Sequence, residues 1–251
     1  MALASITHWG RLPDGMPLGS GIFPTPPPKC PDNALVMYRD FTSAEIKSLN
    51  AFVNSDGYRA LITSSETTYY LAWRTAKHLG DADAVWLLLQ ASWEAKNIDP
   101  ESERAKRYNS EFAEAASQAP KTPVSFEAIA LQMRRANALR ELGRFEAAEA
   151  ARIAISIPDS LGGNEEDANA NRKGWRDTIA ALGAVIARRD PSRTPIDMMG
   201  SREAASRCLE AEFAKKQKMS PPPPLTAFEQ GWCARPELAE DLNRLREYLA
   251  N

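Results

Sequence analysis

The sequence predicts an all-α fold, and three observations carry that reading. Apolar residues recur at helical spacing through most of the interior of the chain. Two Leu-Gly pairs, Leu79-Gly80 and Leu142-Gly143, each close one such stripe and open another. No alternating strand pattern of useful length appears anywhere. The 251 residues suffice for one large domain or two modest ones, and 43% hydrophobic with 25% charged residues is ordinary for a globular protein.

Residues 1–36 carry seven prolines and four glycines, which excludes a regular helix and predicts an irregular arm over residues 1–40. Thr42-Ser43-Ala44-Glu45 then matches a capping box, with Thr42 capping the helix and Glu45 reaching back to the free amide. Ile46, Leu49 and Val53 continue that helix. Tyr69, Ala72, Trp73, Ala76 and Leu79 form the next stripe, ended by Gly80, which tolerates the left-handed conformation of a helix terminus. The segment Val85 to Trp93 is apolar on nearly every face and predicts a central helix packed on both sides. Asp99-Pro100-Glu101 starts a further helix, whose stripe is Tyr108, Phe112 and Ala115.

A similar unit returns at residues 126–157, with Leu142-Gly143 at its turn and alanines at 147, 150, 151 and 154 that let a neighbouring helix come close. The two turns lie 63 positions apart, against about 68 for two tetratricopeptide periods. Residues 41–190 therefore read as an irregular tetratricopeptide-like stack of helical hairpins. Residues 158–173, acidic and rich in Gly and Asn, read as a mobile loop before a helix carrying Trp175, Ile179, Leu182, Val185 and Ile186. Residues 191–251 form a helical extension: one helix over 201–217, an extended spacer at Pro221–Pro224, and a closing amphipathic helix from Glu237 to Leu249.

The stretches CPDNALVMYRDFTSAEIKSLNAFV, TTYYLAWRTAKHLG, AVWLLLQASWEAKN and RANALRELGRFEAAEAA together resemble a bacterial family of unknown function, from Cys30 to about Ile157. In that family a CPxCG zinc ribbon precedes a tetratricopeptide-like helical domain. The resemblance implies that Cys30-Pro31 is the remaining corner of a ribbon, with Asn33 at the place of the second cysteine and Ala34 at the place of the glycine. A structural zinc site needs four Cys or His ligands, and Cys30 with His8 supplies two at most, so no metal and no cofactor is expected.

The chemistry-bearing residues are sparse. Gly162-Gly163 has no GK[ST] after it and is no phosphate loop. His78, in the last turn of a helix, suits the helix dipole. A net charge of -2 excludes a generally basic nucleic-acid coat, and no apolar run approaches a membrane span. The first fifteen residues lack the pattern of a signal peptide, and the three well-separated cysteines, Cys30, Cys208 and Cys233, argue against a disulfide framework. Both features suit a cytoplasmic protein.

If the hairpins stack as tetratricopeptide repeats do, alignment on Gly80 and Gly143 places Tyr70, Arg74 and Lys77 beside Arg134, Asn137 and Arg140 on one concave face. Such a basic face holds a protein or peptide partner, an acidic one included, by charge-assisted hydrogen bonds. The expected function is a non-catalytic protein-binding or scaffold domain without catalytic residues. The alternative is an enzyme, or a metal- or redox-dependent regulator, acting through Cys30.

Overall fold

The computed structural model describes residues 7–119 and 124–250, so residues 1–6 of the predicted arm lie outside the described residues. The protein is an all-α stack of helical hairpins, with an N-terminal arm and a helical C-terminal extension. The arm is more regular than its composition predicts. β1 (His8–Arg11) and β2 (Pro17–Gly19) pair antiparallel, in the register Arg11 to Pro17 and Gly10 to Leu18. The Leu12–Met16 turn closes this hairpin, with Met16 O accepting from Leu12 N at 2.9 Å and Gly15 at φ +88°. Strands of four and three residues are too short to display an alternating pattern.

α1 (Ser43–Val53) carries the predicted capping box, with Thr42 Oγ1 accepting from Glu45 N at 3.3 Å and Glu45 Oε2 accepting from Thr42 N at 2.8 Å. α2 (Asp56–Thr63), capped by Ser55, was not legible in the sequence because Gly57 falls in its first turn. α3 (Thr68–Leu79) ends at Gly80, φ +71°, as its turn requires. α4 (Ala84–Ile98), α5 (Glu103–Gln118) and α6 (Phe126–Glu141) follow, then the Gly143 turn, also at φ +71°, and α7 (Phe145–Ile153).

α8 (Glu166–Ala187) begins inside the segment expected to be a loop. Its first turn carries Glu166 and Asp167, which complement the helix dipole. Arg172 is buried and donates to the carbonyls of Leu161 and Gly163, so the helix itself covers the turn before it. The helix expected over 201–217 divides at Leu209 into α9 (Ser201–Cys208) and α10 (Glu210–Lys216). α11 (Ala227–Cys233) follows the extended prolines, and α12 (Ala239–Ala250) closes the chain.

Consecutive helices from α3 to α8 pack side by side. Side-chain contacts sort them into two layers. Tyr70 on α3 stacks on Tyr108 of α5, with ring centroids 4.2 Å apart. On the other side, Lys96 of α4 pairs with Glu141 of α6 at 2.6 Å, and α6 touches α8. The main core runs between these layers, built on Trp73, Leu88, Tyr108, Phe112, Ile129, Leu139 and Leu182. A smaller core, Val36, Val53, Tyr58, Leu71 and Ala72, seats the end of the arm and the first two helices against α3.

The C-terminal extension has its own core of Ile196, Ala204, Ala205, Leu209, Leu238 and Leu242. A disulfide joins Cys208 at the end of α9 to Cys233 at the end of α11, with the Cα atoms 5.8 Å apart. This corrects the reading that the spacing of the cysteines argues against a disulfide, so cysteine usage no longer supports a cytoplasmic protein. The polyproline spacer returns to α9, with Arg207 donating to the Pro223 carbonyl at 3.2 Å, and so brings together cysteines 25 residues apart. Arg188, at the end of α8, ties the extension to the stack through Asp197 at 2.8 Å and the face of Phe228 at 3.8 Å.

Candidate functional site: two cationic recesses

The six residues expected on one concave face are divided between the two layers. Three helices intervene from one Leu-Gly turn to the next, so α3 and α6 are not equivalent members of the stack. Tyr70, Arg74 and Lys77 belong to the α3–α5 layer, and Arg134, Asn137 and Arg140 to the α4–α6–α8 layer. The shared groove drawn from aligning Gly80 with Gly143 is therefore corrected.

Three of the six are interior. Tyr70 is buried, and its hydroxyl donates to Glu111 at 2.9 Å. Burial and that carboxylate push its pKa up to about 12, so the phenol stays protonated. Asn137 and Arg140 are both 0% exposed. Arg140 donates to the carbonyls of Asp190 at 2.6 Å and Ser192 at 2.8 Å, and to Asn137 Oδ1 at 2.9 Å. Asn137 in turn donates to Glu141 at 2.7 Å. Burial lowers the Arg140 pKa, while Glu141, Asp190 and Asp14 oppose that shift.

Residues remote in sequence complete this network. Lys96 reaches Asp14 at 3.2 Å as well as Glu141, and Trp93 Nε1 donates to the Asp14 carbonyl at 3.3 Å. The β1–β2 turn, α4, α6 and the segment after α8 are thereby fastened at one point. No local signal could have revealed it, because each charge reads in its own segment as a solvated residue.

Of the other three, Lys77 and Arg134 open onto two separate recesses, and Arg74 lines neither. Lys77 is exposed and, with half-buried Arg74, lies against the ring of Trp73, at 5.3 Å and 5.8 Å from its centroid. Trp73 and Lys77 line a groove of about 510 Å³ with Ser110, Glu111 and Glu114 of α5, Arg135 and Leu139 of α6, and Arg144 at the start of α7. Arg135 holds its place by donating Nε to Ala113 O at 3.2 Å. Among the described residues, Lys77, Arg135 and Arg144 form no ion pair, whereas Glu111 is engaged by Tyr70 and, at 3.7 Å, by Arg107. Arg135 was missed because the sequence alignment faced α6 the wrong way, and Arg144 because it lies past the Gly143 turn, at the start of α7.

Arg134 faces the second recess, a cleft of about 440 Å³ between the β1–β2 hairpin, α6 and α8. Its guanidinium stands 5.3 Å from the centroid of the Trp86 ring.

At Cys30 the backbone makes a tight turn: Cys30 N donates to Leu35 O at 2.8 Å, and Ala34 N to Cys30 O at 3.0 Å. Ala34 has φ +57°, and Asn33 Oδ1 accepts from Leu35 N at 3.0 Å. Cys30 is half-buried and unpaired. The two histidines are engaged elsewhere, His8 against the ring of Phe23 and His78 stacked on Phe52 at 4.3 Å with Ser48 Oγ 3.0 Å from Nε2. Among the described residues no three His, Cys, Asp or Glu side chains gather as metal ligands, and no helix is long and apolar enough to cross a membrane.

Fold and recesses together define an all-α helical stack with two cationic openings on opposite layers. Comparison with protein-family models, with curated proteins and with solved structures finds no match to this chain.

Proposed function

We propose that the chain is a non-catalytic, tetratricopeptide-like scaffold that binds an acidic segment of a partner protein in the groove of the α3–α5 layer. The observation that carries this reading is the convergence of Lys77, Arg135 and Arg144 around Trp73 without an ion pair among the described residues. Cations left free beside an aromatic wall offer charge-assisted hydrogen bonds to carboxylates and a flat apolar contact to the chain that carries them. Two carboxylates line the groove: Glu111 accepts from Tyr70 and Glu114 from Gln118, and among the described residues neither pairs with these cations. On the same reading, the turn at Cys30 keeps the backbone path of a zinc ribbon while Asn33 replaces a thiolate. Ala34 at positive φ and the acceptor role of Asn33 support this.

The test reverses two exposed charges, Lys77→Glu and Arg144→Glu, in one chain. The wild-type and double-variant proteins are used to capture partners from a lysate, read by quantitative mass spectrometry. A partner carrying an acidic segment, retained by the wild type and lost by a variant of unchanged helicity, is the expected result. The same proteins captured by both forms would remove the groove assignment. Arg140 is unsuited to such a test, because its reversal would break the interior network rather than a surface.

A further inference from the structure

The second recess carries a separate inference. Arg134 has neither a hydrogen-bond partner nor a carboxylate within ion-pair distance among the described residues, and its Nε is wholly buried. Buried polar donors are nearly always satisfied, and a charged one left open costs far more than a neutral one. The chain nevertheless builds space for this guanidinium. A Cβ at position 15 would lie 2.2 Å from Arg134 Nε, so only glycine permits the approach, and Gly15 at φ +88° needs glycine for its backbone as well.

A second guanidinium, Arg11, lines the same cleft from the hairpin and donates Nη1 to Gly15 O at 3.2 Å. Among the described residues no carboxylate lines the cleft. Asp14, the acidic group nearest in sequence, is turned away to Lys96 at 3.2 Å and Arg193 at 3.7 Å. Arg11 and Arg134 repel each other across the open recess, Asp14 offsets this only in part, and an anion entering between them would relieve it. The facing wall is apolar, formed by Met133, Trp175 and Met198, with Asn171 and Thr178 as polar points. A volume of about 440 Å³ is in the range of small-molecule sites.

We infer that this cleft binds a small organic anion, with a carboxylate or phosphate head between Arg11 and Arg134 and an apolar body against Met133, Trp175 and Met198. The site lies in the α4–α6–α8 layer and is independent of the groove that contains Lys77.

Calorimetric titration of the full chain with phenyl phosphate, benzoate and phenol tests the inference. At least one of the two anions binds saturably at one site per chain, and phenol does not. Which anion binds identifies the head group. Arg134→Met and Arg11→Gln each reduce the affinity about tenfold or more, the loss expected for a charge-assisted contact. Lys77→Glu leaves the affinity unchanged. Arg134→Met also melts no lower than the wild type in the absence of anion, because it removes an unpaired buried cation. Should that variant fail to fold, Arg11→Gln alters only an exposed strand residue and decides the matter. The inference is overturned if neither anion binds the wild type, if phenol binds as well as the anions, or if the arginine variants bind undiminished.

Discussion

Lys96 and Glu141 meet at 2.6 Å inside the protein, with 4% and 7% of their side-chain surfaces exposed. Asp14 completes the arrangement from the N-terminal hairpin, so one ammonium group satisfies carboxylates from two distant parts of the chain. Lys96→Met would leave Glu141 and Asp14 facing each other across an apolar side chain. Removing one partner of a buried pair costs about 3–5 kcal/mol. Urea unfolding should show a loss of that size, and a loss within error of zero would contradict the assignment of Lys96 as the fastening point. Double variants of Lys96 and Glu141 should lose less than the sum of the single losses.

Gly15→Ala should destabilise the protein by about 1–3 kcal/mol, since alanine meets both an unfavourable φ and the Arg134 guanidinium. Thermal unfolding measures this directly. An unchanged melting temperature would mean that Arg134 does not lie against the hairpin.

The legible parts of the fold were those written in adjacent residues. The Thr42–Glu45 box and the Gly80 and Gly143 turns depend on three or four neighbouring positions, and each stands where the sequence put it. Layering depends instead on how many helices separate two turns, and α5 between the hairpins moved Arg134, Asn137 and Arg140 to the far side. Arg140 read as a surface cation because its partners, the carbonyls of Asp190 and Ser192, lie some fifty residues on and carry no side-chain signature. The composition of 158–173 suggested a loop. The buried Arg172, closing its own turn, outweighs that composition.

The disulfide should matter locally. Reduction, or replacement of Cys208 and Cys233 by serine, should cost the C-terminal core about 2–4 kcal/mol. Hydrogen exchange should then rise in α9 to α12 while α3 to α8 keep their protection, because the extension has its own small core. Uniformly faster exchange throughout the chain would show that the two cores unfold together.

Acid sensitivity should trace to Glu66. Burial pushes this carboxyl up, but the Tyr108 hydroxyl and the Arg107 guanidinium, at 2.7 Å, donate to the ionised form and hold its pKa below the ordinary value of 4.5. A depressed folded pKa contributes stability that is complete above the unfolded value and declines as pH falls from there through the folded value. Glu66→Gln should therefore be less stable at neutral pH and lose less on acidification below about pH 4.5. Urea titrations at several pH values measure both, and parallel pH profiles for the two proteins would contradict the assignment.

On the proposed function, the groove around Trp73 and Lys77 receives an acidic segment of a partner. A photo-crosslinking amino acid in place of Gln118, at the groove wall, tests it most directly, with a second position on the outer surface of α8 as control. Mapping of the crosslinked peptide should give an acidic sequence attached at 118, absent from the control and absent when Lys77 and Arg144 are both changed to glutamate. Crosslinks of the same yield in the charge-reversed chain, or to segments without acidic residues, would contradict it.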